Sequence, residues 1–258
     1  MKGLVLLFKF MTRLPFPWEP KFDSESLGKS MKWFPVVGMI LGLINYGIYT
    51  LLSGIIPSPV IMAIILVTMD VIMTGGLHLD GLADTFDGIF SYRSKQKMLE
   101  IMKDSRLGTN GGLVLVLYFI FKIALLVELS NDFGISQGAI MALIPVISRL
   151  NSVGNCTFAP YARGTGMGKT FVDHTKMPDF IISIVISVIY LYFLGIYFGM
   201  GLLPIMILPI TIILGVYFAK LMTRKIGGIT GDTLGAVLEL TGVLGLFLIY
   251  IGCSLYMI

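Results

Sequence analysis

VIMAIILVTMDVIMTGGLHLDGLADTFDG, residues 60–88, sets an apolar run directly against a cluster of acids. The run from about Val60 to Gly75 is apolar enough to cross a membrane, and only Asp70 interrupts it. Beyond it stand Asp80, Asp84 and Asp87, one histidine (His78), and Gly75, Gly76, Gly81 and Gly88. Charges near hydrocarbon are costly and are kept for a purpose.

The rest of the chain repeats the apolar theme. Of the 258 residues, 56% are hydrophobic and only 13% charged, whereas a soluble domain carries about 25% charged residues. Spans are expected at about 33–55, 60–75, 112–129, 138–158, 180–198, 204–219 and 234–258. The expected fold is all-α, a polytopic integral membrane helical bundle of about seven transmembrane helices. It forms a single domain over residues 1–258, since no long polar linker divides it. Residues 1–30 read as an interfacial amphipathic segment on the inner membrane surface. Lys9 breaks the apolar run of Met1 to Leu14 and no small-residue cleavage site follows, which argues against a signal peptide. Trp18 and Trp33 suit a membrane interface.

Charge gives the orientation. Lys122 and Arg149 lie within spans; every other lysine and arginine falls on one side of the seven-span scheme. The positive-inside rule makes that side cytoplasmic, together with the polar stretches 78–110, 159–179 and 220–233. The expectation is a multi-pass protein of the cell (inner) membrane whose active site faces the cytoplasm. No basic patch interleaved with aromatics supports nucleic-acid binding. Cys156 and Cys253 lack metal-ligand spacing and read as packing residues.

Asp80, Asp84 and Asp87, spaced i, i+4, i+7, share one face of a helix. Their mutual repulsion calls for protonation or for a cation. Oxygen-only ligands suit a hard ion such as Mg²⁺ or Mn²⁺; a solvated acidic helix end is the plain alternative. His78, opposite on an ideal helix, is brought round if the Gly75–Gly76 pair breaks the helix. It then serves as general base or phosphate donor, or packs and orients. In EIMKDSRLGTNGG (100–112), Asp104 is a candidate to join the cluster, and Lys103 and Arg106 to hold phosphate. PYARGTGMGK (160–169) has the composition of an anion nest without the context of a P-loop. In GGITGDTLGA (227–236), Asp232 or Thr230 reads as a helix cap. Glu239, Asp70, Lys122 and Arg149 are intramembrane charges, candidates for function or for pairing with one another.

GGLHLDGLADTFDG (75–88) followed by EIMKDSRLGTNGG (100–112) resembles the adenosylcobinamide-GDP ribazoletransferases, also called cobalamin 5′-phosphate synthases. The 160–169 and 227–236 blocks resemble the family's later motifs, and the likeness runs in order along nearly the whole chain. It implies an integral membrane enzyme that joins adenosylcobinamide-GDP to α-ribazole or its 5′-phosphate, releases GMP and requires Mg²⁺. Carried onto this chain, Asp80, Asp84 and Asp87 hold the metal, with Asp104 as a further ligand. Lys103, Arg106 and Arg163 bind substrate and Asp232 completes the site. His78 or a carboxylate among Asp84, Asp87 and Asp104 takes the proton. A homo-oligomer, or contact with other cobamide-assembly enzymes, belongs to the same expectation.

Other readings stand beside it. Asp84-Thr85-Phe86-Asp87-Gly88 is similar to the start of the CDP-alcohol phosphotransferase motif, but Ile89-Phe90-Ser91-Tyr92 replace the Ala-Arg expected next. That likeness suggests a phosphatidyltransferase-like lipid enzyme. An ion-coupled transporter would use the acids as cation ligands near mid-bilayer. The lack of an internal repeat weighs against it.

Overall fold

The computed structural model describes residues 2–256. The first residue of the expected N-terminal segment and the last two of the seventh span lie outside the described residues. The chain runs α1 (Lys2–Met11), α2 (Ser24–Gly28), a 3₁₀ turn (Met31–Trp33), α3 (Phe34–Leu52), α4 (Pro59–Thr74), α5 (Leu77–Ile89) and α6 (Lys95–Ile101). It continues with α7 (Thr109–Phe133), α8 (Gln137–Phe158), α9 (Met167–His174), α10 (Met177–Tyr197), α11 (Leu203–Met206), α12 (Leu208–Ile226) and α13 (Gly231–Tyr256). Among the described residues there is no strand beyond one isolated parallel bridge, Tyr161 to Ile229.

Six helical stretches are long and apolar enough to cross a membrane, and the bent pair α4–α5 supplies a seventh. The bend is 90°, so α5 adds nothing along the axis of α4. The six are α3, α7, α8, α10, α12 and α13, and α4, only 16 residues long, makes a seventh only as part of the bent pair with α5.

The least apolar span is the central one. Mean hydropathy is 1.2 in α8 against 2.4 in α7 and α10, yet the α8 window is 100% buried. A helix enclosed by other helices meets protein rather than lipid, so it can carry Ser148, Arg149, Asn151, Ser152 and Asn155. Gly38 and Gly42 let α3 approach it closely: a Cβ at either would stand 2.5–2.6 Å from the carbonyls of Pro145 and Ala142. This is the small-xxx-small packing of membrane helices. The outer helices turn apolar side chains to lipid, such as Leu117 and Phe121 on α7 and Val185 and Phe193 on α10.

Each expected span falls on a helix over most of its length, and several helices outrun it. α12 continues to Ile226, past the apolar run ending near Ala219, and α7 starts at Thr109 rather than at Gly112. The polar stretches are likewise largely helical: α5 and α6 fill much of 78–110, and α9 lies within 159–179. Hydropathy marks where lipid ends, not where backbone hydrogen bonding ends. The N-terminal helix forms as expected. It also buries Leu7, Phe8 and Met11 in the main core, so it packs on the bundle.

Three of the four intramembrane charges, Asp70, Lys122 and Glu239, join one hydrogen-bonded chain. Lys122 on α7 donates to Asp70 on α4 at 3.1 Å and to Tyr118 at 2.7 Å, and the Tyr118 hydroxyl bonds Glu239 on α13. Arg149 is buried nearby, donating to the Pro145 carbonyl at 3.1 Å with its guanidinium 5.8 Å from the Phe34 ring centroid.

Candidate functional site

The helix break is built by glycine. Gly75 and Gly76 sit at φ +64° and +70°, a conformation that side chains resist. They end α4 and start α5, and His78 and Asp80 occupy the first turn that follows. The N-terminal segment is tied to this break. Arg13 donates its backbone N–H to the Met73 carbonyl at 2.7 Å, and its side chain covers Gly75.

α5 is pressed onto the start of α13. A Cβ on Gly81 would meet the Asp232 carbonyl at 2.6 Å, and one on Gly235 would meet the His78 carbonyl at 2.9 Å. The approach sets the face carrying Asp80 and Asp84 beside Asp232. The two candidate caps of α13 separate into two roles. Thr230 and Thr233 cap the helix reciprocally, backbone N–H to hydroxyl, at 2.8 and 3.2 Å. Asp232 instead accepts from Arg163 at 2.9 Å.

That ion pair depends on a small ladder. Ala162 donates to the Ile229 carbonyl and Ile229 to the Pro160 carbonyl, both at 2.8 Å. The segments 160–169 and 227–236 are thereby clipped together with Arg163 facing Asp232.

Asp84 is the electrostatic centre. Partial burial, then the charges of Asp80, Asp232 and Asp87, push its carboxyl up to about 7, and Arg163 opposes them. Asp87 is engaged otherwise. Its two oxygens accept the backbone N–H groups of Gly108 and Gly111, each at 2.8 Å, and so anchor the first turn of α7. A Cβ on either glycine would stand 2.4 Å from that carboxylate, which explains the glycines at this spacing. Asp104 stands on the turn between α6 and α7, where the Arg106 side chain grips it at 2.6–3.2 Å and holds its carboxyl down at about 2. Lys103 is exposed on the same turn. The structure thus gathers Asp80, Asp84, Asp87, Asp232 and Arg163, while Lys103, Asp104 and Arg106 form a separate exposed group.

A cavity of about 150 Å³ opens beside the acids. Its walls are Phe10 of α1, Met31, Phe34 and Phe171 of α9; its polar end is His78, Asp80 and Asp232. His78 is only 5% exposed and neither ring nitrogen has a hydrogen-bond partner. Burial pushes its imidazole down to about 3, so it is neutral.

Sequence reasoning missed the anchoring role of Asp87 and the aromatic wall. The Gly108-x-x-Gly111 spacing was the one local signal for the first. The second had none, since Phe171 stands far along the chain from Phe10, Met31 and Phe34.

The family model described as cobalamin-5-phosphate synthase matches residues 3–250 of the chain. A Fusobacterium nucleatum protein named adenosylcobinamide-GDP ribazoletransferase is 50% identical, covering 96% of each chain. Proteins of the same name from Clostridium acetobutylicum and Caldanaerobacter subterraneus are 39% and 40% identical; the first covers 96% of each chain, the second 93% of this one and 94% of its own. No solved structure matches.

Proposed function

The chain belongs to the cobalamin-5-phosphate synthase family and is a membrane-embedded transferase of cobalamin biosynthesis, and we propose the chemistry by which its acid cluster works. A ribose hydroxyl of α-ribazole, or of its 5′-phosphate, attacks the phosphorus that carries the corrinoid side chain in adenosylcobinamide-GDP. One P–O bond forms, the P–O bond to GMP breaks, and GMP leaves with the bridging oxygen.

The observation that carries this reading is the set of acids within electrostatic reach of Asp84, namely Asp80, Asp87 and Asp232, with the one cation Arg163 paired to Asp232 and with Asp80 and Asp232 lining the cavity. Such an excess of acid fits a hard divalent ion, and Mg²⁺ is the choice for a diphosphate substrate. No three His, Cys, Asp or Glu side chains form a ready cage among the described residues. The fit is to an ion held by one or two carboxylates, Asp80 and Asp84 first, with substrate oxygens completing its shell. Bound there, Mg²⁺ would supply charge neutralisation for the diphosphate and for the leaving phosphate.

The chain's own groups do the rest. Arg163 turns from Asp232 to phosphate oxygens, and Arg106 does the same from Asp104. A carboxylate of the cluster takes the hydroxyl proton, since mutual repulsion raises its affinity for one. Buried, neutral His78 is the poorer acceptor. α5 turns 90° from α4, and at the membrane face that turn suits an enzyme reached from the aqueous side better than a mid-bilayer transport site. By the charge asymmetry that side is the cytoplasm.

The test is direct. Purified protein given adenosylcobinamide-GDP, α-ribazole and Mg²⁺ should yield cobamide and GMP, and chelation should stop it. A folded protein that makes neither product overturns the reading. A pH dependence follows from Asp84. Protonated below about pH 7, its carboxyl must lose that proton before it holds a cation. Apparent Mg²⁺ affinity of the substrate-free protein should therefore rise up to tenfold per pH unit below about 7 and level off above it. Calorimetric titration at several pH values reads this; a flat profile would remove Asp84 from the ion.

A further inference from the structure

Two opposite faces run the length of α12. Leu208, Thr211, Gly215, Ala219, Met222 and Ile226 are buried against the bundle. On the other side Ile210, Ile213, Tyr217, Lys220 and Arg224 are exposed, at spacings of three and four that place them in one stripe. The stripe changes character along the helix. Ile210 and Ile213 are apolar, Tyr217 comes one turn later at 61% exposure, and then the two cations follow. At 1.5 Å per residue, Lys220 lies about 10.5 Å and Arg224 about 16.5 Å beyond Ile213. Tails, an aromatic ring and then cations are the order in which a bilayer passes from hydrocarbon to headgroup.

The two cations have no protein partner. Elsewhere on the surface Lys9 pairs with Glu19, Lys29 with Glu25, Lys97 with Glu100 and Lys169 with Asp173. Among the described residues no carboxylate pairs with Lys220 or Arg224, and α12 has no acid of its own. Further positive charge stands close by. Lys225 is in the last turn of α12, and the Lys95 side chain of α6 fills the space that a Cβ on Gly227, at the end of the helix, would take. The helix dipole favours cations in the last turn, but it does not reach back to Lys220 and does not select the lipid-facing stripe.

Cations without acids, on the face turned to lipid, are complementary to a negatively charged headgroup. We propose that Tyr217, Lys220 and Arg224 form a binding site for an anionic phospholipid of the leaflet at that end of α12, with Lys95 at its edge. The acyl chains lie along Ile210 and Ile213. Lys220 and Arg224 hold the phosphate, the arginine through two parallel N–H donors. The occupant is a lipid and not a phosphate of the substrate, because α12 packs on α8 and α13 and the stripe faces away from the helix that carries Asp232. The site stands independently of the transfer chemistry proposed above.

The test uses the purified full chain in mild detergent, titrated with dioleoyl phosphatidylglycerol or dioleoyl phosphatidylcholine. Native mass spectrometry reads lipid bound per chain. A cation beside an anionic headgroup is worth about a factor of five. The wild-type chain should therefore take its first phosphatidylglycerol roughly twentyfold more tightly than phosphatidylcholine. Lys220→Gln combined with Arg224→Gln should take the two alike, and the charge-preserving pair Lys220→Arg with Arg224→Lys should keep the preference. Lys29→Gln with Lys169→Gln, which removes as much charge elsewhere, should keep it too. A wild-type chain that does not discriminate overturns the proposal. So does a preference that survives the double glutamine variant, or one that falls equally in the Lys29 and Lys169 control. A rise in donor KM with the lipid preference intact would assign the two cations to substrate and overturn it as well. If the double variant does not insert, Arg224→Gln alone decides, with roughly a fivefold loss of preference expected.

Discussion

Asp84→Asn is expected to lower kcat by roughly a thousandfold or more, equivalent to about 4 kcal/mol of barrier, while the protein stays folded. Asparagine keeps the shape and removes the charge. Asp84 is the carboxylate on which Asp80, Asp232 and Asp87 all act, so a neutral group there relieves repulsion. Thermal unfolding of the variant at pH 8 should therefore come at the same temperature or higher. Loss of activity without loss of stability is the signature of a site residue, and near-normal turnover would remove Asp84 from the chemistry. The neighbouring substitution behaves in the opposite sense. Asp87 accepts two backbone N–H groups from the first turn of α7. Asp87→Asn turns one acceptor into a donor facing an N–H group and should cost stability, about 1 kcal/mol as for a lost helix cap. Both variants read by unfolding and by GMP release separate the acid that reacts from the acid that holds.

How much of this was legible before the fold depended on the kind of signal. The apolar runs gave the spans, because lipid contact writes itself along each helix. The buried helix α8 was legible too, since its hydropathy still reached 1.2, but its central place was not. Burial in protein and burial in lipid leave similar residues. The kink was foreseeable from Gly75–Gly76, because few other residues tolerate the left-handed backbone found there. The shared face of Asp80, Asp84 and Asp87 followed from helical periodicity. The pairing of Arg163 with Asp232 could not be foreseen, since the two are 69 residues apart and meet only because 160–162 forms a ladder with 229. The aromatic cavity was illegible for the same reason. Phe10, Phe34 and Phe171 each look like ordinary packing residues, and only their convergence places them around one cavity.

Lys122→Met is expected to destabilise the bundle by about 3–5 kcal/mol, the cost of stranding a buried partner charge. Lys122 has 8% of its side chain exposed and Asp70 15%, so neither has water to fall back on. The lysine is the shared donor of a chain from Asp70 on α4 through Tyr118 on α7 to Glu239 on α13. Without it two acids and a phenol face one another across three helices. The pair itself contributes less than that figure, because burying both charges offsets most of their attraction. Asp70→Asn combined with Lys122→Met should accordingly recover a good part of the loss. Unfolding of the purified protein in detergent measures both, and additive losses would mean that the two groups do not interact. The same comparison bears on catalysis. The helices braced by this chain also fix the acid cluster: α5 follows α4, Asp87 holds the start of α7, and α13 begins beside Asp232. A double variant that regains stability while GMP release stays depressed would show that the buried charges position the site as well as balance one another. Full recovery of both would confine them to balance.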